Sequence, residues 1–407
     1  MKRLKWLGLL AALSIPQAQA INQEIRALFQ PDSSSPDKTA FVNQTPNSGY
    51  CATYPRECAV HGMFSIELPV RFRSTRYLGA TDWAAVKAPA EWRRLNVINS
   101  QTQETQTLEI RITGMGSKYV LYKPAVQIAG GANALEGHRR LWKDDSWVHG
   151  IPAPCRYSGV GEYGDDYFRF FWKTPEPTHC FKLPAYFISW MYFDKLDFAY
   201  ELRTPNPLNM STGRYTGSTT YTLGPGGDFD MGKLFEPDDG GLTLDFVLDV
   251  QHTLKVDIPP GGNKIVLEPQ GGWQRWLDSG RKPVRLYRDQ IFHISASSKF
   301  SMRLECEYSL GWGSGCAILD RESGFAGPVD VSVSLPDGLT DSAGQPVRRK
   351  LLGREATGSF QPARYVDRKP GTLHFDIGEK DTDWLINNAK GRPYRGNITV
   401  IWDSEPG

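Results

Sequence analysis

The chain has 407 residues, with 47 Lys and Arg against 45 Asp and Glu and a formal charge of +2. That balance gives no electrostatic case for nucleic acid or for an acidic membrane surface. With 40 glycines, 28 prolines and few long helical patterns, the composition favours many short strands joined by turns, and the length supports two domains with separate cores.

The chain opens MKRLKWLGLLAALSIPQAQA. Lys2, Arg3 and Lys5 precede an apolar run from Trp6 to Ile15, and Ala18-Gln19-Ala20 supplies a small-residue cleavage site. Residues 1–20 therefore read as a secretory signal, too short to span a bilayer. Export implies an oxidising compartment, so the six cysteines are expected to form three disulfides rather than a zinc or redox site. Their spacing points to Cys51–Cys58, Cys155–Cys180 and Cys306–Cys316.

From Ile21 to about Gln44 the chain is polar and reads as a loosely held N-terminus. Strand patterns follow at Phe64 to Phe72, Leu95 to Asn99, Thr107 to Ile112 and Lys118 to Ile128, with Pro69 demoting the first toward an edge. A block dense in aromatic residues runs from Tyr157 to Tyr200 and contains strand patterns at Tyr167 to Lys173, Tyr186 to Phe193 and Asp197 to Leu202. Most of these rings are expected to be core, because aromatic residues favour strands and bury large areas. Tyr157, Tyr163 and Tyr167, around a glycine-rich stretch read as a loop, lack an obvious core role. With Asp165 and Asp166 they are the candidate receptor-binding residues, rings to stack on a sugar and carboxylates to bond its hydroxyls, with Arg156 or Arg169 as further hydroxyl partners.

Other motifs carry less. Gly159 to Gly164 satisfies GxGxxG, but a dinucleotide site needs a following helix and the sequence after it is strand-like. His138, His149 and His179 match no metal spacing, and Asp228 and Asp230 fail the EF-hand pattern at its fifth position, so no metal or other cofactor is expected. The pairs Asp144-Asp145, Asp165-Asp166 and Asp238-Asp239 would point to opposite faces of a strand and are not acid/base dyads. No catalytic residue is assigned, and the chain is read as a non-enzyme.

After a polar run from Ser211 to Gly232, the boundary between domains is expected in the EPDDGG segment, Glu236 to Gly241, dividing the chain into residues 21–240 and 241–407. Leu242 to Ile258 then alternates cleanly, with Leu242, Leu244, Phe246, Leu248, Val250, Leu254, Val256 and Ile258 on one face and His252 interrupting the row. At ~3.3 Å per residue this would extend about 55 Å, so a bent strand serving two sheets is expected. Further strand patterns at Lys264 to Leu267, Val284 to Tyr287, Ile291 to Ile294, Phe300 to Tyr308, Val329 to Leu335, Leu373 to Ile377 and Ile398 to Trp402 make a β-sandwich the expected second domain.

This layout resembles the two-domain tip adhesins of bacterial chaperone-usher fimbriae. The segments STGRYTGSTTYTLGPGGDFDMG (211–232), LGWGSGCAIL (310–319) and GNITVIWDSE (396–405) are most similar to adhesin subunits of the Cup-type and Yeh-type fimbriae. The resemblance implies an all-β chain: an N-terminal sandwich or barrel for recognition, then an immunoglobulin-like pilin domain lacking its last strand. In the family that missing strand leaves a groove, filled first by a periplasmic chaperone and then by the N-terminal donor strand of the next subunit at the outer-membrane usher. Carried over, the groove walls would be Phe246, Leu248 and Val250 on one side and Ile398, Val400 and Trp402 on the other. The implied function is adhesion from the pilus tip to a host or surface receptor, expected to be a glycan. The competing class is an exported carbohydrate-active enzyme or free lectin. One departure is the DSEPG terminus after the last strand, where family members commonly end on the strand itself.

Overall fold

The computed structural model describes residues 21–310, 315–389 and 391–404; the expected leader, part of the 310–319 motif and the last residues of the DSEPG terminus lie outside them. Strands dominate, arranged around two large cores. The three disulfides are Cys51–Cys58, Cys155–Cys180 and Cys306–Cys316.

The first core lies under one strongly curved sheet of twelve strands. Its centre is a 17-residue strand, Thr105–Leu121, which unites two stretches that read separately in the sequence; the continuation beyond Pro124 is instead a short helix, Ala125–Ala129. It pairs with Met191–Arg203 and with Tyr167–Lys173. Alternation sends Met115, Tyr119, Phe168, Phe170, Trp172, Phe193 and Phe198 inward, where each is at most 1% exposed. Trp147 fills the middle, with its ring 4.3 to 5.6 Å from those of Phe170, Trp172 and Phe193. Each such side chain contributes about 1.5–3 kcal/mol by burial, so these buried rings are a large part of what holds the curved sheet over its core.

The N-terminal stretch is not loose. Ile21–Phe29 is a strand running parallel to Gly241–Val250, in register from Ile21 opposite Leu242 to Phe29 opposite Val250. Gly213–Thr222 flanks Gly241–Val250 antiparallel on its other side. Leu242, Leu244, Phe246, Leu248 and Val250 are therefore inside the first core, each at most 1% exposed. This corrects two expectations. The division between the cores falls after Val250 rather than at Glu236 to Gly241, and Phe246, Leu248 and Val250 are not groove walls. The apolar row had shown that one face is buried, and it could not show against what.

The alternating stretch does break, and it breaks at His252. Gly241–Val250 ends, three residues follow, and Leu254–Asp257 begins as an edge strand of the second body. His252 sits in the joint. Its Nε2 lies 2.8 Å from the Met210 carbonyl of the first body, its Nδ1 3.1 Å from Ser297 Oγ of the second, and its ring meets Phe29 edge-on.

The second body is a sandwich. One sheet runs Leu254–Asp257, Leu286–Ala296, Val366–Ile377, Ala326–Ser334 and Cys316–Leu319; the other runs Leu339–Asp341, Ser359–Pro362, Phe300–Cys306 and Ile398–Ser404. Phe292, Ile294, Phe300, Met302, Val331 and Val333 close the space between them, each fully buried. Lys264 to Leu267 forms no strand, although Ile265 and Leu267 pack on the core. A helix, Glu379–Ala389, precedes the last strand and was not read from the sequence.

Candidate functional site

Two surface features stand out from this frame. The first is an apolar groove in the second body. Ile398–Ser404 pairs with Phe300–Cys306, and among the described strands no other lies beside it. Its apolar face, Ile398, Val400 and Trp402, is half-buried rather than buried and lines a cavity of about 550 Å³ floored by Phe292, Val329, Leu373 and Phe375. Trp402 is anchored edge-on against Phe292 at 4.9 Å. The facing wall is Val256 and Ile258, with Ile265 and Leu267 beyond; Ile258 is half exposed. The wall thus comes from the end of the 242–258 stretch, beyond the Phe246–Val250 segment expected for it.

An edge strand with free N–H and C=O groups beside exposed apolar side chains is a place for another strand to add. The groove can accept alternating apolar residues.

The second feature is a charged cleft of about 380 Å³ on the outer face of the first sheet. Five neighbouring strands each contribute: Glu67; Asp194, Lys195 and Asp197; Ser117 and Lys118; Tyr167 and Arg169; Glu162. A β-bulge between Asp194 and Asp197, with Lys195 in the left-handed region at φ 67°, brings three charged side chains of one strand to this face while Leu196 turns into the core. Ser117 Oγ pins the bulge by donating to the Lys195 carbonyl.

Ion pairs occupy most of the rim. Lys195 Nζ lies 2.6 Å from Glu67, and Arg71 and Lys118 hold Asp194 at 2.8 and 3.5 Å. Asp197 differs. It is 4% exposed, its Oδ1 has no hydrogen-bond partner among the described residues, and its Oδ2 stands 3.6 Å from Arg169. Burial pushes its carboxyl up to about 8, with Arg169 and the Tyr50 amide opposing the shift and Glu67 adding to it. Gly49 closes over it from the disulfide-linked segment Tyr50 to His61. At φ +63°, with a Cβ there landing 2.4 Å from the carboxylate oxygens, only glycine fits.

The five expected receptor-binding residues do not form one site. Tyr167 lines the cleft. Tyr157 and Tyr163 belong to a strand, Arg156–Tyr163, rather than a loop; they pair opposite the inward residues Trp172 and Phe168 and so lie at the border of the other face, 55% and 43% exposed. Asp165 and Asp166 form the turn between strands, their carbonyls accepting from Ala125 and Leu121 amides. Glu162, on the same strand as Tyr163 but one residue out of phase, reaches the cleft instead. Of the three histidines weighed as ligands, His138 is buried between Tyr119 Oη and the Gly164 carbonyl, His149 bonds Ser146, and His179 bonds Asp230. They do not converge.

No family model matches the chain, and no curated protein matches its sequence. Solved structures do. The crystal structure of CfaE, the adhesive subunit of the CFA/I fimbria of enterotoxigenic Escherichia coli, is 10% identical, with 95% of each chain covered and a TM-score of 0.27. A chaperone-tip adhesin complex of CFA/I fimbriae is 11% identical over 95% of this chain and 97% of that one, TM-score 0.25. The CsuC-CsuE chaperone-tip adhesion subunit pre-assembly complex of Acinetobacter baumannii is 8% identical over 95% and 99%, TM-score 0.22. Superpositions this loose give no residue-by-residue correspondence. Along nearly its whole length the chain is similar to tip adhesins of chaperone-usher fimbriae.

Proposed function

We propose that this chain is a fimbrial tip adhesin, with the first body recognising a receptor and the second joining the pilus by donor-strand complementation. The observation that carries this reading is the unpaired edge of Ile398–Ser404 beside an open apolar groove, in a molecule whose other sheet has its alternating strand flanked on both sides. A sandwich short of one strand is an aggregation hazard by itself, so a periplasmic chaperone is needed to cover it, then the usher to pass it to the next subunit's donor strand. Display at the pilus tip on the cell surface follows.

The test uses the full chain with a synthetic peptide of alternating apolar residues. Binding to the folded state alone should raise the unfolding midpoint with peptide concentration, by about 2.7 kcal/mol of stability at a hundredfold excess over Kd. Val400→Asp should abolish that rise while leaving the first-body transition in place. A chain that is stable, monomeric and indifferent to every such peptide would not be a pilus subunit of this kind.

A further inference from the structure

The cleft over Asp197 has features that the ion pairs around it do not explain. Asp197 is almost fully buried, yet one carboxyl oxygen is unpartnered, and a buried acceptor left unpaired costs about 1–3 kcal/mol. Arg169 is equally unsettled. Its guanidinium stands 3.6 Å from Glu67, 3.6 Å from Asp197 and 3.9 Å from Glu162, too far for a direct hydrogen bond to any of them. Donors and acceptors thus face one another across gaps that something with both capacities would fill. Lys195, strained at its backbone, sits on the rim.

The charge of the lining selects the class of ligand. Four carboxylates, Glu67, Glu162, Asp194 and Asp197, face three cations, Lys118, Arg169 and Lys195. Arg71, which holds Asp194 at the rim, adds a fourth cation, so the charges balance with every group ionised, and with Asp197 protonated to about 8 the lining carries at most one positive charge at pH 7. An anionic group would meet three acids already in place, and a cation would meet four bases. A hydroxyl both donates and accepts, so a set of neighbouring hydroxyls can bridge Arg169 to the carboxylates at no net charge. The volume of about 380 Å³ lies at the low end of small-ligand pockets, and the Tyr167 ring on the wall offers an apolar surface to a sugar ring's C–H face.

We propose that this cleft is a binding subsite for a neutral, polyhydroxylated sugar ring bearing no carboxylate or sulfate, with Arg169 donating to its hydroxyls and Asp197 and Glu162 accepting from them. The proposal rests on the recognition role given to the first body above and names the ligand class and residues for it. It places the site on the opposite face of the sheet from Tyr157 and Tyr163.

A glycan array probed with the full chain, its groove filled by donor peptide, tests this. Oligosaccharides ending in neutral hexoses are expected to bind, and the same oligosaccharides capped with sialic acid are expected to bind more weakly. Arg169→Ala should lower affinity for the neutral ligand by about tenfold or more. Asp197→Asn, checked for an intact thermal transition, keeps the shape of the carboxyl and should shift affinity and remove its pH dependence between about 6 and 9. Exclusive binding of anionic glycans, neutral-sugar binding unchanged in both variants, no saccharide binding at all, or attachment to a protein receptor that survives deglycosylation would each overturn the proposal. The peptide-rescue experiment reads the groove alone, so the adhesin reading can stand where this one falls.

Discussion

Gly241–Val250 and Ile398–Ser404 carry the same signal, apolar residues at every second position, and meet opposite fates. The first lies between two strands, Ile21–Phe29 and Gly213–Thr222, and its inward side chains are out of water. The second has one neighbour and a half-wet face. Alternation states that a face wants covering; whether the cover is intramolecular depends on strands far away in sequence. The early strand is paired on one edge by Ile21–Phe29 and on the other by Gly213–Thr222, and among the described residues the late strand is paired on one edge only.

The comparison is broken most forcefully by truncating each row. Phe246→Ala, in the closed sheet, is expected to cost about 3–5 kcal/mol, as for other buried aromatic deletions. Val400→Ala, in the open groove, should cost roughly 1 kcal/mol in the chain alone, since its side chain is already half exposed. With donor peptide bound the Val400→Ala cost should grow, while the Phe246→Ala cost stays the same. Denaturant titration followed separately for the two bodies measures both. Equal costs without peptide would mean that the groove is already closed.

A second contrast lies within the first body, between its apolar inner face and the charged outer cleft. Asp197 keeps its proton to about 8 in the fold and loses it near 3.8 when unfolded. Between those values the native state binds more protons than the unfolded one, so the stability that Asp197 allows at low pH is lost progressively as pH rises from about 4 to 8. Asp197→Asn should flatten that decline, with midpoints near wild type at pH 5 and above wild type at pH 8. Unfolding curves across this range measure it, and a wild-type profile with no decline would remove the argument for a protonated carboxyl.

The fold was legible wherever a residue's role depended on its sequence neighbours. Tyr167–Lys173 emerges with the bounds its alternation gave, and the disulfides join the cysteines nearest in sequence. Ile21–Phe29 was hidden because Gln23 interrupts the apolar row that Ile21 begins, leaving Ile25, Ala27 and Phe29 to face the core. The cleft was hidden for a different reason: Glu67, Asp197, Arg169 and Glu162 lie on four strands, and only sheet order and a bulge bring them together. Lys182 is the same kind of case. The residue is 1% exposed, and its ammonium shares its three N–H donors among the carbonyls of Lys143, Asp145, Ser146 and Gly150, a role that no local pattern announces.

A modest effect is expected at the joint where the two regions meet. His252 Nε2 donates across it to the Met210 carbonyl on one side, and Nδ1 shares a hydrogen bond with Ser297 Oγ on the other. Burial pushes its imidazole below the ordinary value, with the Met210 carbonyl and Glu104 opposing. The unfolded chain therefore takes up a proton at a higher pH than the native one, so stability held at the joint above about 6.5 is lost as pH falls below it. Two neutral hydrogen bonds set the scale at about 1–2 kcal/mol. Limited proteolysis at residues 251–253 should quicken several-fold between pH 7.5 and 5.5 in the wild type. In His252→Ala it should be fast at both values, because the variant has no bond left to lose. If the wild type were cut equally at both pH values and more slowly than the variant, the histidine would hold the joint without titrating, and the two bodies would stay fixed to one another in acid.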